Sequence, residues 1–206
     1  MKKHLALVTA LIAILTFTAC TAQNDPPAPA QDSAIASSDS LDEVSETDFE
    51  TLTFGNVTID LPDVFHEVTE QNGMYVSAGP ASSITVTPVM EMDLLPSEWD
   101  EDLARESLEM FYGQTYTDLD LAAYGGEVTI NGNTAIYYAF TGKNTEGILR
   151  LVHAVRLYNA DQTAQYIVLF VQTDGDEFFT SDIIDSIINS ITLSADAQHL
   201  TAEVEG

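Results

Sequence analysis

Two long apolar segments with a short polar break between them constrain the fold of this chain more than any other feature. The segments span residues 148–158 and 166–171, and the break at 159–163 is Asn-Ala-Asp-Gln-Thr. The second segment is apolar without alternation, which is typical of a strand covered on both faces. The pattern predicts two long paired strands at the centre of a sheet, with helices on both faces in a three-layer domain.

Unlike the second segment, the first segment alternates, and the alternation assigns its residues to the two faces of the sheet. His153 falls on one face with leucine and valine side chains, whereas Arg150 and Arg156 share the other face. At about 3.3 Å per residue the strand would run roughly 35 Å, which is long enough to cross a small domain. We therefore expect an interior strand rather than an edge strand.

Further strands flank this centre. Apolar residues at strand spacing predict them at 52–54, 57–61, 65–69, 74–77, 83–90, 118–124, 127–130, 134–141 and 191–193. The pairs Asn72-Gly73 and Asn131-Gly132 lie between neighbouring strands and are typical of tight hairpin turns.

Two helices complete the predicted domain. The first begins at Pro96-Ser97, where Ser97 can cap it, and ends by Gly113. Its predicted buried stripe consists of Trp99, Leu103, Met110 and Phe111. The second helix follows a turn at 173–176. Its predicted buried stripe consists of Phe179, Ile183, Ile184, Ile187 and Ile188.

The composition is strongly acidic, with 33 Asp and Glu residues against 6 Lys and Arg residues and a net charge of -27. Such a chain repels phosphate backbones and anionic lipid head groups. We expect no nucleic-acid partner, and a membrane attachment that is covalent or hydrophobic. Solubility is the simplest role of the charge, and a salt-adapted surface and collective cation binding are the alternatives.

The N-terminus has the pattern of an export signal. Basic residues at 2–3 precede an uncharged apolar run at 5–19, which is shorter than the roughly 20 residues of a spanning helix.

The run ends in Phe17-Thr18-Ala19-Cys20, which resembles the lipobox of bacterial lipoproteins, although Phe17 departs from the usual leucine. The resemblance implies cleavage after Ala19 and lipid attachment to Cys20, so that membrane lipid is one partner. Cys20 is the only cysteine. An ordinary secreted protein or a retained membrane anchor are the alternatives.

The chain divides into four predicted regions. Residues 1–19 form a signal peptide, and 20–48 form a lipidated, acidic, proline-containing tether without periodicity. As a flexible coil, the tether would reach roughly 30 Å. Residues 49–194 form the folded domain, and 195–206 form a polar tail that we expect to fray.

The order of elements is similar to the PsbP-like family, which includes bacterial lipoproteins of the DcrB type. The residues that carry the resemblance are Ile59-Asp60-Leu61-Pro62, the segment 128–135, and the pattern Phe179, Ile183, Ile184, Ile187 and Ser190. The resemblance implies an α+β fold, an α/β/α sandwich whose antiparallel central sheet has helices packed on it. It also implies no shared catalytic residues, because members mostly act as assembly, scaffold or binding factors.

Two acidic segments partly match metal-binding patterns. The segment His66-Glu67-Val68-Thr69-Glu70 lacks the second histidine of the zinc protease pattern, and a strand would separate its ends by about 13 Å. The segment 174–177, Asp-Gly-Asp-Glu, offers fewer oxygens than the 6–8 that calcium takes. We interpret the first as an exposed strand end and the second as a turn, and we predict no metal ligands and no cofactor.

Other polar residues have a structural and a functional interpretation. For His153 these are a core histidine bonded to a neighbour, or a ligand or pH sensor. For Arg150 and Arg156 they are cross-strand pairing with carboxylates, or anion binding. Five tyrosines are ordinary strand aromatics or line a groove: Tyr112, Tyr116, Tyr124, Tyr137 and Tyr138.

The sequence therefore predicts a membrane-anchored, extracytoplasmic lipoprotein of the cell envelope that presents a non-catalytic binding or assembly domain. The expected partner is an envelope protein or a small ligand. No catalytic residue is predicted, since the nucleophile elbow Gly-x-Ser-x-Gly and the phosphate loop are absent from the sequence. An envelope enzyme such as a hydrolase without a recognisable motif, and an acidic cation-binding protein, are the alternatives.

Overall fold

The computed structural model describes residues 47–89, 94–195 and 197. The predicted signal peptide, Cys20 and most of the tether lie outside the described residues. Two α-helices are described, α1 (Glu101–Tyr112) and α2 (Ser181–Ser190). The strands are β1 (Phe49–Phe54), β2 (Val57–Pro62), β3 (Thr69–Gln71), β4 (Met74–Ala78), β5 (Ser82–Val89), β6 (Thr117–Ile130), β7 (Asn133–Lys143), β8 (Leu149–Tyr158), β9 (Gln165–Thr173) and β10 (Thr192–Leu193).

Seven strands form one sheet in the order β3-β4-β5-β9-β8-β7-β6, and all neighbours are antiparallel. The predicted pair of long strands is confirmed, because β8 lies between β7 and β9 at the interior of the sheet. The predicted turn at 159–163 joins β8 to β9. Two antiparallel strands, β1 and β10, flank β2 in a second, smaller sheet.

Each face of the large sheet carries its own core. On one face, Val155 and Leu157 of β8 belong to a cluster with the small sheet and with Ile184 and Ile187 of α2. On the other face, Val152 and Ala154 belong to a cluster with α1. The alternation predicted for β8 is therefore confirmed, and the domain is an α+β sandwich with helices on both faces of an antiparallel sheet.

The predicted turn at Asn131-Gly132 joins β6 to β7. Both residues have positive φ angles, 46° and 81°. A hairpin turn of this kind requires left-handed backbone at both central positions, which asparagine and glycine adopt at low cost.

The start of the first helix differs from the prediction. Pro96–Glu98 forms a single 3-10 turn, and α1 begins only at Glu101. The cap is Asp100, whose carboxylate accepts a hydrogen bond from the backbone N–H of Leu103 at 2.8 Å. Asp at this position satisfies one of the free N–H groups of the first turn, as Ser97 was expected to do.

The predicted stripe of α1 is also partly wrong. Met110 and Phe111 are 63% and 42% exposed, and the buried residues are Ala104, Ser107, Leu108 and Tyr112. Ala104, Leu108 and Tyr112 lie about one helical turn apart, so the buried face of α1 follows this row instead of the predicted one. Trp99 is buried as predicted but lies outside the helix.

Smaller differences concern element bounds. The two strands predicted at 118–124 and 127–130 are one strand, β6, with irregular pairing at three places. Residues 66–68 precede β3 instead of belonging to a strand. Helix α2 begins after its cap Thr180 and not at the turn 173–176. Neither of the two described helices has the length and the apolar character that crossing a bilayer demands.

Candidate functional site

The most unusual side chain of the described domain is Arg156. It lies near the end of β8, on the α1 face, and only 4% of it is exposed. Its guanidinium carbon is 4.4 Å from the centroid of the Trp99 ring and 4.9 Å from that of Phe111. The cation is therefore held between two aromatic faces, which attract it through their quadrupoles.

The hydrogen bonds of Arg156 are incomplete. Its Nε donates to the Tyr138 hydroxyl at 3.4 Å, whereas its Nη2 has no hydrogen-bond partner among the described residues. The Tyr138 hydroxyl also lies 3.1 Å from that of Tyr112. A neighbouring tyrosine, Tyr158, accepts from Gln165 Nε2 at 2.9 Å. We call this group the Arg156 site: Trp99, Phe111, Tyr112, Tyr138, Arg156 and Tyr158.

The predicted pairing of Arg150 and Arg156 with carboxylates is wrong as far as the described residues show. Ion pairs are formed by the other two cations of this part of the chain: Arg105 with Glu101 at 3.1 Å, and Lys143 with Asp118 at 2.9 Å. Arg150 instead donates to the Thr173 hydroxyl at 2.6 Å and to the carbonyl of Ala81 at 3.1 Å. Of the two arginines on this face of β8, only Arg156 is buried.

The charge states of the site follow from its burial. Burial lowers the pKa of Arg156, the oxygens of Tyr138 and Tyr112 raise it, and the net direction is upward. Burial and then Tyr138 raise the pKa of Tyr112 well above its ordinary value. At neutral pH the site therefore holds one cation among neutral phenols. A buried charge without a counter-ion is costly, and proteins normally pair such a charge.

A second group of polar residues lies on the opposite face of the sheet. His153 Nδ1 is 2.9 Å from the Tyr137 hydroxyl, and the His153 ring contacts those of Tyr137 and Phe170 at centroid distances of 6.2 and 5.9 Å. The prediction of a core histidine bonded to a neighbour is confirmed. Burial lowers the pKa of His153, and the nearby carboxylate of Asp185 opposes that shift.

Three polar atoms of this face have no hydrogen-bond partner among the described residues: His153 Nε2, Gln172 Oε1 and Ser82 Oγ. Ser82 lies directly opposite Gln172 in the pairing of β5 with β9, and Gln172 lies opposite Leu151. His153 is two residues further along β8, so the three side chains are diagonal or direct neighbours on one face. They form a polar group within an otherwise apolar core.

The structure places the two acidic segments that partly match metal-binding patterns as follows. His66 is exposed, and the segment 174–177 is a turn in which Asp176 accepts from the N–H of Phe178 at 3.0 Å. The described residues contain no group of three or more His, Cys, Asp or Glu side chains placed to hold a metal ion. The five tyrosines divide between the faces, since Tyr112 and Tyr138 join the Arg156 site and Tyr137 joins His153.

The sequence did not predict that Trp99 and Phe111 flank Arg156. Both aromatics were assigned to one helical stripe, but Trp99 ends the 3-10 turn with extended backbone and Phe111 lies twelve positions later, in the last turn of α1. The one available signal was the placement of Arg156 on a face of β8 that is otherwise mostly apolar.

Neither a protein-family model nor a curated protein matches the sequence. Solved structures do match. CyanoP, the PsbP protein of the cyanobacterium Synechocystis sp. PCC 6803, is 12% identical with a TM-score of 0.54 over 75% of this chain and 97% of that one. The Ran-binding protein Mog1p of Saccharomyces cerevisiae is 9% identical with a TM-score of 0.48, over 72% of this chain and 96% of that one. LpqN of Mycobacterium tuberculosis, involved in cell envelope biogenesis, is 16% identical with a TM-score of 0.43, over 74% and 87%.

The match to CyanoP shows that the described domain has the PsbP-like fold, and it confirms the predicted α+β sandwich. At 12% identity this similarity is one of fold alone.

Proposed function

We propose that this protein is a lipid-anchored, extracytoplasmic lipoprotein whose PsbP-like domain binds an envelope protein and catalyses no reaction. The observation that carries the binding role is the surface at the end of α1. There Phe111 and Met110 are 42% and 63% exposed, and Phe111 covers the buried guanidinium of Arg156. We call Met110, Phe111 and Arg156 the docking surface.

The composition of the docking surface fits protein binding. Aromatic residues, methionine and arginine are the types enriched at protein interfaces, and a few such residues carry most of the binding energy. Leu95 is another exposed apolar residue, at 43%, and its neighbour Leu94 borders the Arg156 site, because the Leu94 carbonyl accepts the Tyr158 hydroxyl at 3.3 Å. The partner that fits is a protein with an apolar contact surface and a group that satisfies Arg156.

The polar groups of the domain support a role without catalysis. His153 bonds through Nδ1 to a tyrosine hydroxyl instead of a serine or cysteine nucleophile. Burial lowers the pKa of His153, which favours the neutral imidazole at neutral pH, and its ring contacts those of Tyr137 and Phe170. A general base needs a substrate proton within reach, and the side chains around His153 are those of a core.

The anchor rests on the sequence. Cleavage after Ala19 and acylation of Cys20 would place two or more acyl chains at the first residue of the mature protein, and two chains give durable membrane attachment. Cys20→Ala should leave the protein folded and move it from the membrane fraction to the soluble fraction of the envelope. Continued sedimentation of this variant with membranes would contradict the anchor.

The binding role is tested by cross-linking in the native envelope. A photo-reactive amino acid at position 110 should capture one envelope protein, which is then purified and titrated against the full chain. Phe111→Ala should weaken that complex about 30-fold, the effect of a central interface residue worth about 2 kcal/mol.

Phe178→Ala is the matched control, because Phe178 is 39% exposed and lies outside the docking surface. It should leave the affinity within about twofold of that of the unsubstituted protein. Equal losses in the two variants, or a complex that neither variant weakens, would refute the docking surface.

A further inference from the structure

We propose that the Arg156 site binds a carboxylate group, which pairs with the guanidinium once the Phe111 side chain has moved off it. This inference deepens the proposed function, because the partner would supply the carboxylate. The displaced Phe111 side chain would then contact the partner, so Phe111→Ala opens the site to a small anion and still weakens the complex. Carboxylate binding at Arg156 can be tested without knowing which protein the partner is.

The first argument is the unused bonding capacity of Arg156. Guanidinium carries five N–H donors in a planar fork, yet the described neighbours give it two aromatic faces and one phenol oxygen at 3.4 Å. Nη2 is buried and has no hydrogen-bond partner among these neighbours. A carboxylate accepts two parallel N–H bonds from such a fork and neutralises the charge at the same time.

The second argument is the difference between the two aromatic walls. Trp99 is buried and stacked on Tyr138 with a centroid distance of 6.1 Å and an interplanar angle of 15°. Phe111, by contrast, is half-exposed at the penultimate position of α1. A rotation of Phe111 therefore uncovers the guanidinium without disturbing the core, whereas Trp99 and Tyr138 stay as a fixed wall.

The third argument concerns which anion fits. An acidic side chain lies near the site: burial raises the pKa of Tyr158, and Glu98 is among the groups that raise it further. The desolvation cost of an anion grows with the square of its charge, whereas its attraction to the single charge of Arg156 grows only in proportion, so a doubly charged phosphate is the costlier ligand to bury. A singly charged carboxylate is therefore the favoured ligand.

The test uses Trp99, which is the only tryptophan of the chain. Because the guanidinium lies 4.4 Å from the indole ring, pairing of its charge should change the tryptophan emission. Sodium acetate is titrated into the purified full chain against sodium chloride at equal ionic strength. Acetate should give a saturable change with an apparent dissociation constant on the order of millimolar, and chloride should give none.

Three variants make the test specific. Arg156→Met should abolish the acetate response, and Arg156→Lys should weaken it about tenfold because lysine lacks the fork. Phe111→Ala should strengthen acetate binding about threefold to tenfold, because removal of the cover raises the fraction of the protein that is competent to bind. Circular dichroism checks that each variant is folded.

Other outcomes would overturn the proposal. Equal responses to acetate and chloride, or an acetate response that survives in folded Arg156→Met, exclude a carboxylate site at this residue.

Glu91 and Asp93 lie outside the described residues and supply the last control. If acetate binds only after Glu91→Gln or Asp93→Asn, the chain's own carboxylate fills the site and no external ligand is needed.

The failure of this proposal differs from the failure of the proposed function. Acetate binding that depends on Arg156, together with a cross-linked complex that ignores Arg156→Met and Phe111→Ala, would leave the anion site standing and refute the docking surface. If Phe111→Ala weakened the complex but acetate gave no response, the docking surface would stand and the carboxylate site would be refuted.

Discussion

The side-chain amide nitrogen of Asn131 lies 2.9 Å from the carbonyl oxygen of Ile191, the C-cap residue that follows α2. The same nitrogen lies 2.9 Å from the carbonyl oxygen of Asn189. The last carbonyls of a helix have no partner within the helix. The turn between β6 and β7 therefore supplies the cap of α2, and one residue serves the turn through its backbone and the helix through its side chain.

Two substitutions at position 131 separate these two roles. Asn131→Gly keeps the left-handed backbone and removes the hydrogen bonds, so the free energy of unfolding should fall by about 1 kcal/mol. Asn131→Ala also strains the backbone, whose φ is 46°, and should cost about 1 kcal/mol more. Urea unfolding measures both. A glycine variant as stable as the unsubstituted protein would show that the cap contributes nothing.

The buried histidine makes stability depend on pH. The ordinary pKa of histidine is 6.5, and the pKa of His153 in the folded protein is lower. As the pH falls below about 6.5, the unfolded chain takes up a proton that the folded chain refuses, so the free energy of unfolding should decrease. The decrease approaches about 1.4 kcal/mol per pH unit and ends once the pH is below the folded pKa.

His153→Gln should abolish this decrease between about pH 7.5 and 5.5, while keeping a group that can bond to Tyr137. His66→Gln is the matched control, because His66 is exposed. The groups that face His153 are Tyr137 and Asp185, and neither is altered by these substitutions. If His66→Gln and His153→Gln show the same pH profile, the decrease does not come from the buried imidazole.

The sequence predicted the features of the fold that depend on neighbouring residues. The alternation in β8 placed His153 and Arg156 on opposite faces, as found, because side chains of a strand alternate whatever covers them. The turn at Asn131-Gly132 was likewise predicted, since its backbone conformation is a local matter. The bond from Asn131 to α2 joins residues 60 positions apart and leaves no local trace.

The Arg156 site shows why sites of this kind escape sequence reasoning. Arg150 and Arg156 share a face of β8, yet one contacts a threonine hydroxyl and the other lies beneath two aromatic rings. The face follows from alternation, whereas the cover depends on how α1 packs on the sheet. The sequence pattern predicts a buried Phe111, and the packing of α1 leaves it half-exposed above Arg156.

The start of α1 is itself open to test. Asp100→Ala should lower the free energy of unfolding by about 1 kcal/mol, because it removes the cap of the first turn. Asp100→Asn keeps an oxygen that can accept from Leu103 N–H and should cost less. Ser97→Ala is the control and should have an effect within about 0.5 kcal/mol. If Ser97→Ala lowered the free energy of unfolding more than Asp100→Ala, the helix cap would be Ser97, as the sequence predicts.

The substitution Arg156→Met tests whether the guanidinium has an internal counter-ion. Methionine replaces the apolar stem of arginine, and removal of the charge ends its desolvation penalty. The lost contacts with Trp99 and Phe111 are worth about 1–2 kcal/mol each when desolvated. We expect the free energy of unfolding to rise or to stay within about 1 kcal/mol, since an unpaired buried cation costs several kcal/mol.

Urea unfolding compares this variant with Arg105→Met, in which an exposed arginine that pairs with Glu101 is lost. That control should change the free energy of unfolding by less than about 0.5 kcal/mol. A loss of about 3–5 kcal/mol in Arg156→Met would instead be the cost of leaving a buried carboxylate without its partner. In that case the site is already neutralised from within, and the stability measurement would contradict an external carboxylate before any ligand is added.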